Sequence, residues 1–422
     1  MEENPVSYRP RILDAELKQY LKAFGGVLLT GPKMCGKTWT GLNQAASSVY
    51  IDDEDNFRRA SITPDLVLEG DYPRLVDEWQ VVPHLWDKAR RIIDRVHRPG
   101  LFIFTGSAVP ALEKTLHSGV GRFVNLQMRP MSLFESGDSS GAVSLGALFN
   151  GEKIKPAASS LDFKKAVHLI CRGGWPAGLW VTGEAALSIP RGYLSMIIES
   201  DISRVDGVTR SPDKVRLFLR SFARNSATMA GAAVLIKDMR EHEEKGNISA
   251  DSVDSYLNAL KQIFIIDEQQ AWQPSLRSKT RLRTSPKRHF IDPSLAAAAM
   301  DASPEILIRD PKTAGFLFES LCYRDLQIYA AALHGKVYHY RDEKNLEVDA
   351  VIQLDDGNWA AVEVKLGDFE FDMAAKHLLE LKRKMTEQND RCIFLLILTA
   401  TGGAAYTRDD GVHVVPLDCL KP

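Results

Sequence analysis

The octapeptide GPKMCGKT at Gly31–Thr38 constrains this chain more than any other feature, because the pattern G-x-x-x-x-G-K-[ST] works in one structural setting. Such a loop must leave a buried strand and enter a helix, so that backbone N–H groups and the helix N-terminus converge on an anion. Both flanks are present: Gly26-Val27-Leu28-Leu29-Thr30 reads as a short buried strand, and Trp39–Ala46 can begin a helix. Gly31 and Gly36 permit the turn, Lys37 is placed to neutralise β- and γ-phosphates, and Thr38 is placed to hold Mg²⁺. The residues expected around the nucleotide are Gly31, Pro32, Lys33, Met34, Cys35, Gly36, Lys37, Thr38 and Trp39.

A second half of the same site follows about forty residues later, where Arg74-Leu75-Val76 leads into Asp77 and Glu78. At a strand end, Asp77 can take Mg²⁺ through water and Glu78 can polarise the attacking water. Together the halves make Mg²⁺-dependent ATP hydrolysis the expected chemistry. Strand candidates Val27–Thr30, Val49–Asp52, Arg74–Asp77, Leu101–Thr105 and Phe123–Leu126 alternate with helical stretches, one carrying Leu85, Ala89, Ile92 and Ile93. That alternation predicts an α/β fold with a parallel sheet, of the additional-strand P-loop type. The fourth strand ends in FIFTGS, so Thr105 or Ser107 can sense the γ-phosphate or be an ordinary turn hydroxyl. Arg122, just before the fifth strand, reads either as a finger offered to a neighbouring subunit's ATP or as a solvated loop charge. The finger reading implies a homo-oligomer.

Composition excludes more than it assigns. A formal net charge of −2 over 422 residues gives no global attraction to nucleic acid, so any such contact needs a local basic patch. The five cysteines are scattered without C-x-x-C spacing, which argues against a disulfide framework or zinc site and fits a cytoplasmic protein. The N-terminus MEENPVSYRP has no apolar core of a secretory signal, and the longest apolar run, Cys392–Ala400, is too short to span a bilayer.

Between Ser136 and Ser160 glycine, serine and alanine dominate, marking a boundary or surface excursion. A helical lid is expected next, with Leu194, Ile197, Ile198 and Ile202 on one face of Tyr193–Val205. From about Asp213 to Asp292 the pattern is three helices and a hairpin, the winged-helix order. Ser249 can cap the third helix, in which Val253, Tyr256, Leu257 and Leu260 recur at helical spacing. Its outward residues Asp251, Asp254, Ser255 and Asn258 suit phosphates poorly. The basic run after it would put Arg277, Lys279, Arg281 and Arg283 on one strand face, either for double-stranded DNA or as a solvated, aggregation-resistant edge.

The last hundred residues hold separate chemistry. If Asp355-Asp356-Gly357 forms a hairpin loop, Leu354 faces Asn358, and counting outwards sets Asp349 opposite Glu363, with Lys365 on the same face. Paired carboxylates attract a hard cation, Mg²⁺ or Mn²⁺, and Glu319 on the helical segment Phe316–Ala330 is spaced to add another. The reading is a metal-dependent phosphodiesterase site with catalytic Asp349, Glu363 and Lys365. The alternatives are an exposed salt-bridged hairpin or a once-catalytic domain now used for binding.

With these motifs in hand, the chain resembles prokaryotic AAA-type P-loop ATPases that carry a C-terminal domain of unknown function related to PD-(D/E)XK nucleases. The stretches YRPRILDAELKQYLKAFGGVLLTGPKMCGKT, LVDEWQVVPHLWDKARRIID, FIFTGS and GVGRFVNLQMRPMSLFE carry the ATPase resemblance. GGWPAG, KRHFIDPSL and GFLFESLCYRDLQ with LEVDAVIQLDDGNWAAVEVKLG carry the C-terminal one. The resemblance implies phosphate and Mg²⁺ roles for Gly31, Gly36, Lys37 and Thr38, Walker B roles for Asp77 and Glu78, and a finger role for Arg122. It implies Glu319, Asp349, Glu363 and Lys365 for the nuclease-like centre, although no proline precedes Asp349. The expected organisation is an ATPase domain at 1–145, a helical lid and linker at 146–212, a winged-helix domain at 213–300 and an α/β restriction-endonuclease-like domain at 301–422. The expected function couples nucleotide state to the winged-helix and nuclease-like module on DNA; the alternative is an ATP-dependent switch or scaffold that binds nucleic acid or protein without cleavage.

Overall fold

The computed structural model describes residues 8–107, 119–241, 249–273, 285–386 and 391–422. It divides into two compact units: residues 1–130, 201–209 and 259–264 form one, and 131–200, 210–258 and 265–422 the other. The basic residues Arg277, Lys279, Arg281 and Arg283 lie outside the described residues.

In the first unit, β1 (Gly26–Thr30), β2 (Ser47–Tyr50), β3 (Arg74–Asp77), β4 (Phe102–Gly106) and β5 (Phe123–Gln127) form one sheet in the order β2-β3-β4-β1-β5, with parallel pairing throughout. β4 therefore lies between the P-loop strand and the strand ending in Asp77. Period-two alternation sorts the core onto two faces: Val27, Leu29, Leu75, Ile103 and Leu126 pack with Leu17, whereas Val76, Phe102 and Phe104 pack with Trp79, Trp86, Ala89 and Ile92. On that second face Trp86 stacks on Trp79 and on Phe123, with ring centroids 5.0 and 4.1 Å away. β2 ends two residues before the predicted Asp52, because the Asp53 side chain caps the helix Glu54–Ile62 and draws the chain off the sheet.

The second unit contains β6 (Val143–Ser144), β7 (Ala157–Ala158), β8 (Ile266–Gln269), β9 (Lys287–Phe290), β10 (Gly335–Arg341), β11 (Glu347–Leu354), β12 (Trp359–Lys365), β13 (Cys392–Thr399), β14 (Ala404–Thr407), β15 (His413–Pro416) and β16 (Leu420–Lys421). Seven of these make a mixed sheet in the order β10-β11-β12-β13-β15-β14-β7, against which the helix Phe371–Met385 packs its Phe371, Ala374, Leu378 and Leu381. The hairpin count holds: Ala350 pairs with Val362 and Gln353 with Trp359, while the Leu354 N–H donates to Asn358 O, so one step outward sets Asp349 opposite Glu363.

Helices Pro212–Arg224, Ala232–Arg240 and Ala250–Gln262 precede the antiparallel β8–β9 pair. Ser249 caps the third of them through the Ser252 N–H, and Val253, Tyr256, Leu257 and Leu260 are buried on it. The helix expected at Tyr193–Val205 instead begins at Glu184, runs through Pro190 to Met196 and widens into a π turn at Ile197–Asp201; Leu194, Ile197, Ile198 and Ile202 are buried.

The two units cut across the four sequence segments. Residues 131–145 group with the second unit because β6 pairs with β16 and the Leu133 N–H donates to Asp325. Asp325 belongs to a buried network in which the Arg324 guanidinium bonds Asp325 and Asp292, and Asp292 accepts from the Gly174 N–H. A side chain at Gly174 would put Cβ 2.0 Å from the Met131 carbonyl oxygen. GGWP, FIDPSL and CYRD, far apart in sequence, thus meet at one place.

Candidate functional site

The P-loop leaves β1 at the edge where the parallel strands end, and positive φ at Gly31 (146°), Met34 (61°) and Gly36 (102°) bends its backbone into a cradle. Gly31 is required sterically as well, since a Cβ there would meet Met128 O at 2.2 Å. Arg11 braces the loop from behind, its guanidinium donating to Cys35 O and Arg129 O at 2.8 Å each. Cys35 is fully buried, so it offers backbone and packing, while Met34 and Trp39 are half exposed. The ammonium of Lys37 is buried and donates to Gly31 O (3.0 Å) and Pro32 O (2.8 Å), closing the loop on itself. Lys33 instead reaches Asp201, Nζ to Oδ1 2.8 Å.

Strand order brings the second half alongside. Thr38 Oγ1 donates to Asp77 Oδ1 at 2.9 Å, and the Thr105 hydroxyl bonds the same oxygen. Burial raises the Asp77 carboxyl above its ordinary range, against the hydrogen bonds from Thr105 and Thr38. Glu78 takes a left-handed conformation (φ 51°), its N–H donates to Thr105 Oγ1 (3.3 Å), and its carboxylate accepts from Ser107 Oγ (3.3 Å) and from the Gln80 amide. Both sensor candidates therefore touch a Walker B acid. The cradle and the Thr38–Asp77 pair fit a triphosphate with Mg²⁺: backbone donors and an ammonium for phosphate oxygens, a hydroxyl and a carboxylate for the cation.

Arg122 lies elsewhere. Phe123 pairs with Gly26, which sets Arg122 at the edge where the strands start, about 16 Å of strand length from the P-loop. Its Nε bonds Asp94 Oδ1 at 2.8 Å and Nη1 bonds Val120 O at 3.2 Å. It cannot serve its own chain's loop, and a finger role requires a second copy.

In the second unit the strand register brings Asp349, Glu363 and Lys365 together: Lys365 Nζ is 2.7 Å from Glu363 Oε2 and 3.6 Å from Asp349 Oδ2, which also accepts the Val364 N–H. Glu319 joins from the helix Pro311–Ala332, but through a residue not anticipated from the sequence. Lys287 at the start of β9 places Nζ 2.8 Å from Glu319 Oε1, 3.2 Å from Glu347 Oε1 and 3.6 Å from Asp349 Oδ1. Burial lowers this ammonium's pKa, yet the three carboxylates outweigh it and hold the group charged. The metal site expected at Glu319, Asp349 and Glu363 is not shown: among the described residues no group of three or more His, Cys, Asp or Glu side chains is arranged for a metal ion, and the ammoniums of Lys287 and Lys365 stand beside these carboxylates. Sequence reasoning missed Lys287, Glu347 and His377, whose Nδ1 lies 3.6 Å from Glu363 Oε1, because none falls in a recurring spacing.

Residues 24–136 match the AAA domain family, residues 164–306 the domain of unknown function DUF8612, and residues 314–420 the domain of unknown function DUF4143. The uncharacterized protein Rv2008c of Mycobacterium tuberculosis is 25% identical over 350 residues, covering 81% of this chain and 70% of its own length; Mb2031c of Mycobacterium bovis matches equally. Similar solved structures include the Walker-type ATPase PABY2304 of Pyrococcus abyssi (13% identity, 69% of this chain and 99% of that one, TM-score 0.40) and the ORC2 protein of Aeropyrum pernix (12%, 74% and 97%, TM-score 0.33). No helix among the described residues is long and apolar enough to cross a membrane. Residues 24–136 are thus similar to the AAA domain family, and they carry a glycine-bent loop after β1 and an acidic strand end beside it.

Proposed function

We propose that the chain binds and hydrolyses ATP with Mg²⁺ and couples its nucleotide state to a winged-helix segment and a restriction-endonuclease-like domain acting on DNA. The observation that carries the ATPase reading is the Thr38 Oγ1 to Asp77 Oδ1 bond of 2.9 Å with Glu78 next in sequence. Lys37 leaves the Gly31 and Pro32 carbonyls for the β- and γ-phosphates, which exchanges two neutral acceptors for charged ones. Glu78, held by Ser107 and Gln80, orients the attacking water. Mg²⁺ at Thr38 and Asp77 would neutralise charge developing on the phosphate oxygens. Wild-type protein should bind and turn over ATP while Lys37→Ala loses binding; equal nucleotide affinity in the two would overturn this reading.

DNA association is supported by the order of three helices and a strand pair, and by Arg277, Lys279, Arg281 and Arg283 in the sequence between β8 and β9. Titration of duplex DNA at several salt concentrations tests it, since each neutralised phosphate contributes a slope of about −0.9 in log K against log salt. For the C-terminal domain a second reading, binding without cleavage, is favoured by one observation: Lys287 Nζ stands among the carboxylates of Glu319, Glu347 and Asp349.

A further inference from the structure

We propose that the acidic centre of the second unit is neutralised from within the chain, Lys287 taking the place a divalent cation would occupy, so that the centre anchors the β8–β9 pair instead of binding metal. This deepens the reading of binding without cleavage and rests on it. Divalent Mg²⁺ or Mn²⁺ needs direct approach to several carboxylate oxygens at roughly 2.0–2.2 Å, and an ammonium between those oxygens both blocks the approach and repels the ion. Each Asp349 oxygen already faces an ammonium, Oδ1 that of Lys287 and Oδ2 that of Lys365.

Lys287 is held there by more than its own charge. Its side chain is 4% exposed, and the strand carrying it is bolted down on both sides. His289, two residues on, shares hydrogen bonds with Ser320 Oγ (3.0 Å) on the helix that supplies Glu319 and with Gln269 Oε1 (3.1 Å). Gln269 pairs with Lys287 across β8–β9, and its amide donates to the main-chain oxygens of Asp349 (2.8 Å) and Tyr338 (3.0 Å). The His289 ring also stacks on Tyr323, 4.2 Å between centroids. A lysine on a free loop could swing away for a metal; one fixed at this register cannot do so without unpairing β9 from β8 and breaking the bonds of His289 and Gln269.

The test is calorimetric titration of the nucleotide-free full chain with Mn²⁺. Wild type and Asp349→Asn should give the same isotherm, because no Mn²⁺ binds at this centre. Lys287→Gln should gain one site at least ten-fold tighter than any wild-type binding, Lys287→Arg should gain none, and Lys287→Gln with Asp349→Asn should lose the gain. Wild-type Mn²⁺ binding that disappears in Asp349→Asn would overturn the proposal, as would a folded Lys287→Gln chain with no new site. Should Lys287→Gln fail to fold, the comparison of wild type with Asp349→Asn still decides. DNA titration of wild type separates the two readings: absent DNA binding would sink the binding function and leave the lysine-filled centre standing.

Discussion

In the proposed hydrolysis turnover rests on Glu78, the carboxylate beside the Thr38–Asp77 pair, which Ser107 and Gln80 already orient. Glu78→Gln keeps the size and the left-handed backbone but removes the charge that polarises water. Phosphate release should fall roughly 10²- to 10⁴-fold with ATP binding unchanged, read in a steady-state assay beside a binding titration. Arg324 is the corresponding residue for stability in the second unit. It is buried, and it neutralises Asp292 and Asp325, which are also buried. Arg324→Met would leave two carboxylates unpaired, and breaking a buried pair from one side costs about 3–5 kcal/mol. Chemical denaturation should show a loss of that size; a loss under 1 kcal/mol would mean the carboxylates find other partners.

At the scale of elements, the P-loop depends on a backbone that only glycine adopts at two of its turns. Gly31→Ala combines φ near 146° with a Cβ 2.2 Å from Met128 O, so the loop must move off its register with β5. ATP binding should be lost, while the melting temperature falls by only a few degrees because the sheet core on either face is untouched. β10 carries a different liability. His339 is fully buried on it. Burial, helped by the charges of Lys287 and Arg341 and opposed by a hydrogen bond with the Ser285 backbone, pushes its pKa down from 6.5 to about 4. Between those values the unfolded chain takes up a proton that the folded one refuses, so stability is full above about pH 6.5 and on the order of 3 kcal/mol is lost by pH 4. His339→Phe should flatten the fall in melting temperature between pH 7 and pH 5, and parallel falls in both proteins would exclude His339 as the cause.

For the whole molecule, the proposed hydrolysis of ATP runs either within one copy or between two. Arg122 stands at the edge of the sheet opposite the P-loop, paired to Asp94, and reaches an ATP only in another chain. A finger contributes roughly 10³- to 10⁵-fold where it acts. Mixing Arg122→Ala chains with Lys37→Ala chains should restore part of the activity each lacks, given mixed assembly seen by light scattering; no recovery would place hydrolysis within single copies.

The geometry of the candidate nucleotide site was legible in the sequence because it is local. Gly31, Gly36 and Lys37 are fixed by a strand, a turn and a helix only a few residues long, and Asp77 ends a strand whose neighbours follow from βα alternation. The Asp349–Glu363 pairing was legible for the same reason, since a three-residue hairpin loop sets register by counting. What the sequence could not indicate is what comes to such sites from a distance. Lys287 is one cation beside a basic run, with no spacing that ties it to Glu319 or Asp349, and only the β8–β9 pairing and the contacts of Gln269 and His289 put it there. Likewise Gly174, Asp292 and Arg324 read as a turn, a strand end and a helix residue until the fold closes them into one network. Local motifs are written in short-range backbone geometry, whereas the charge that completes a buried centre is supplied by tertiary packing, and sequence spacing carries no record of it.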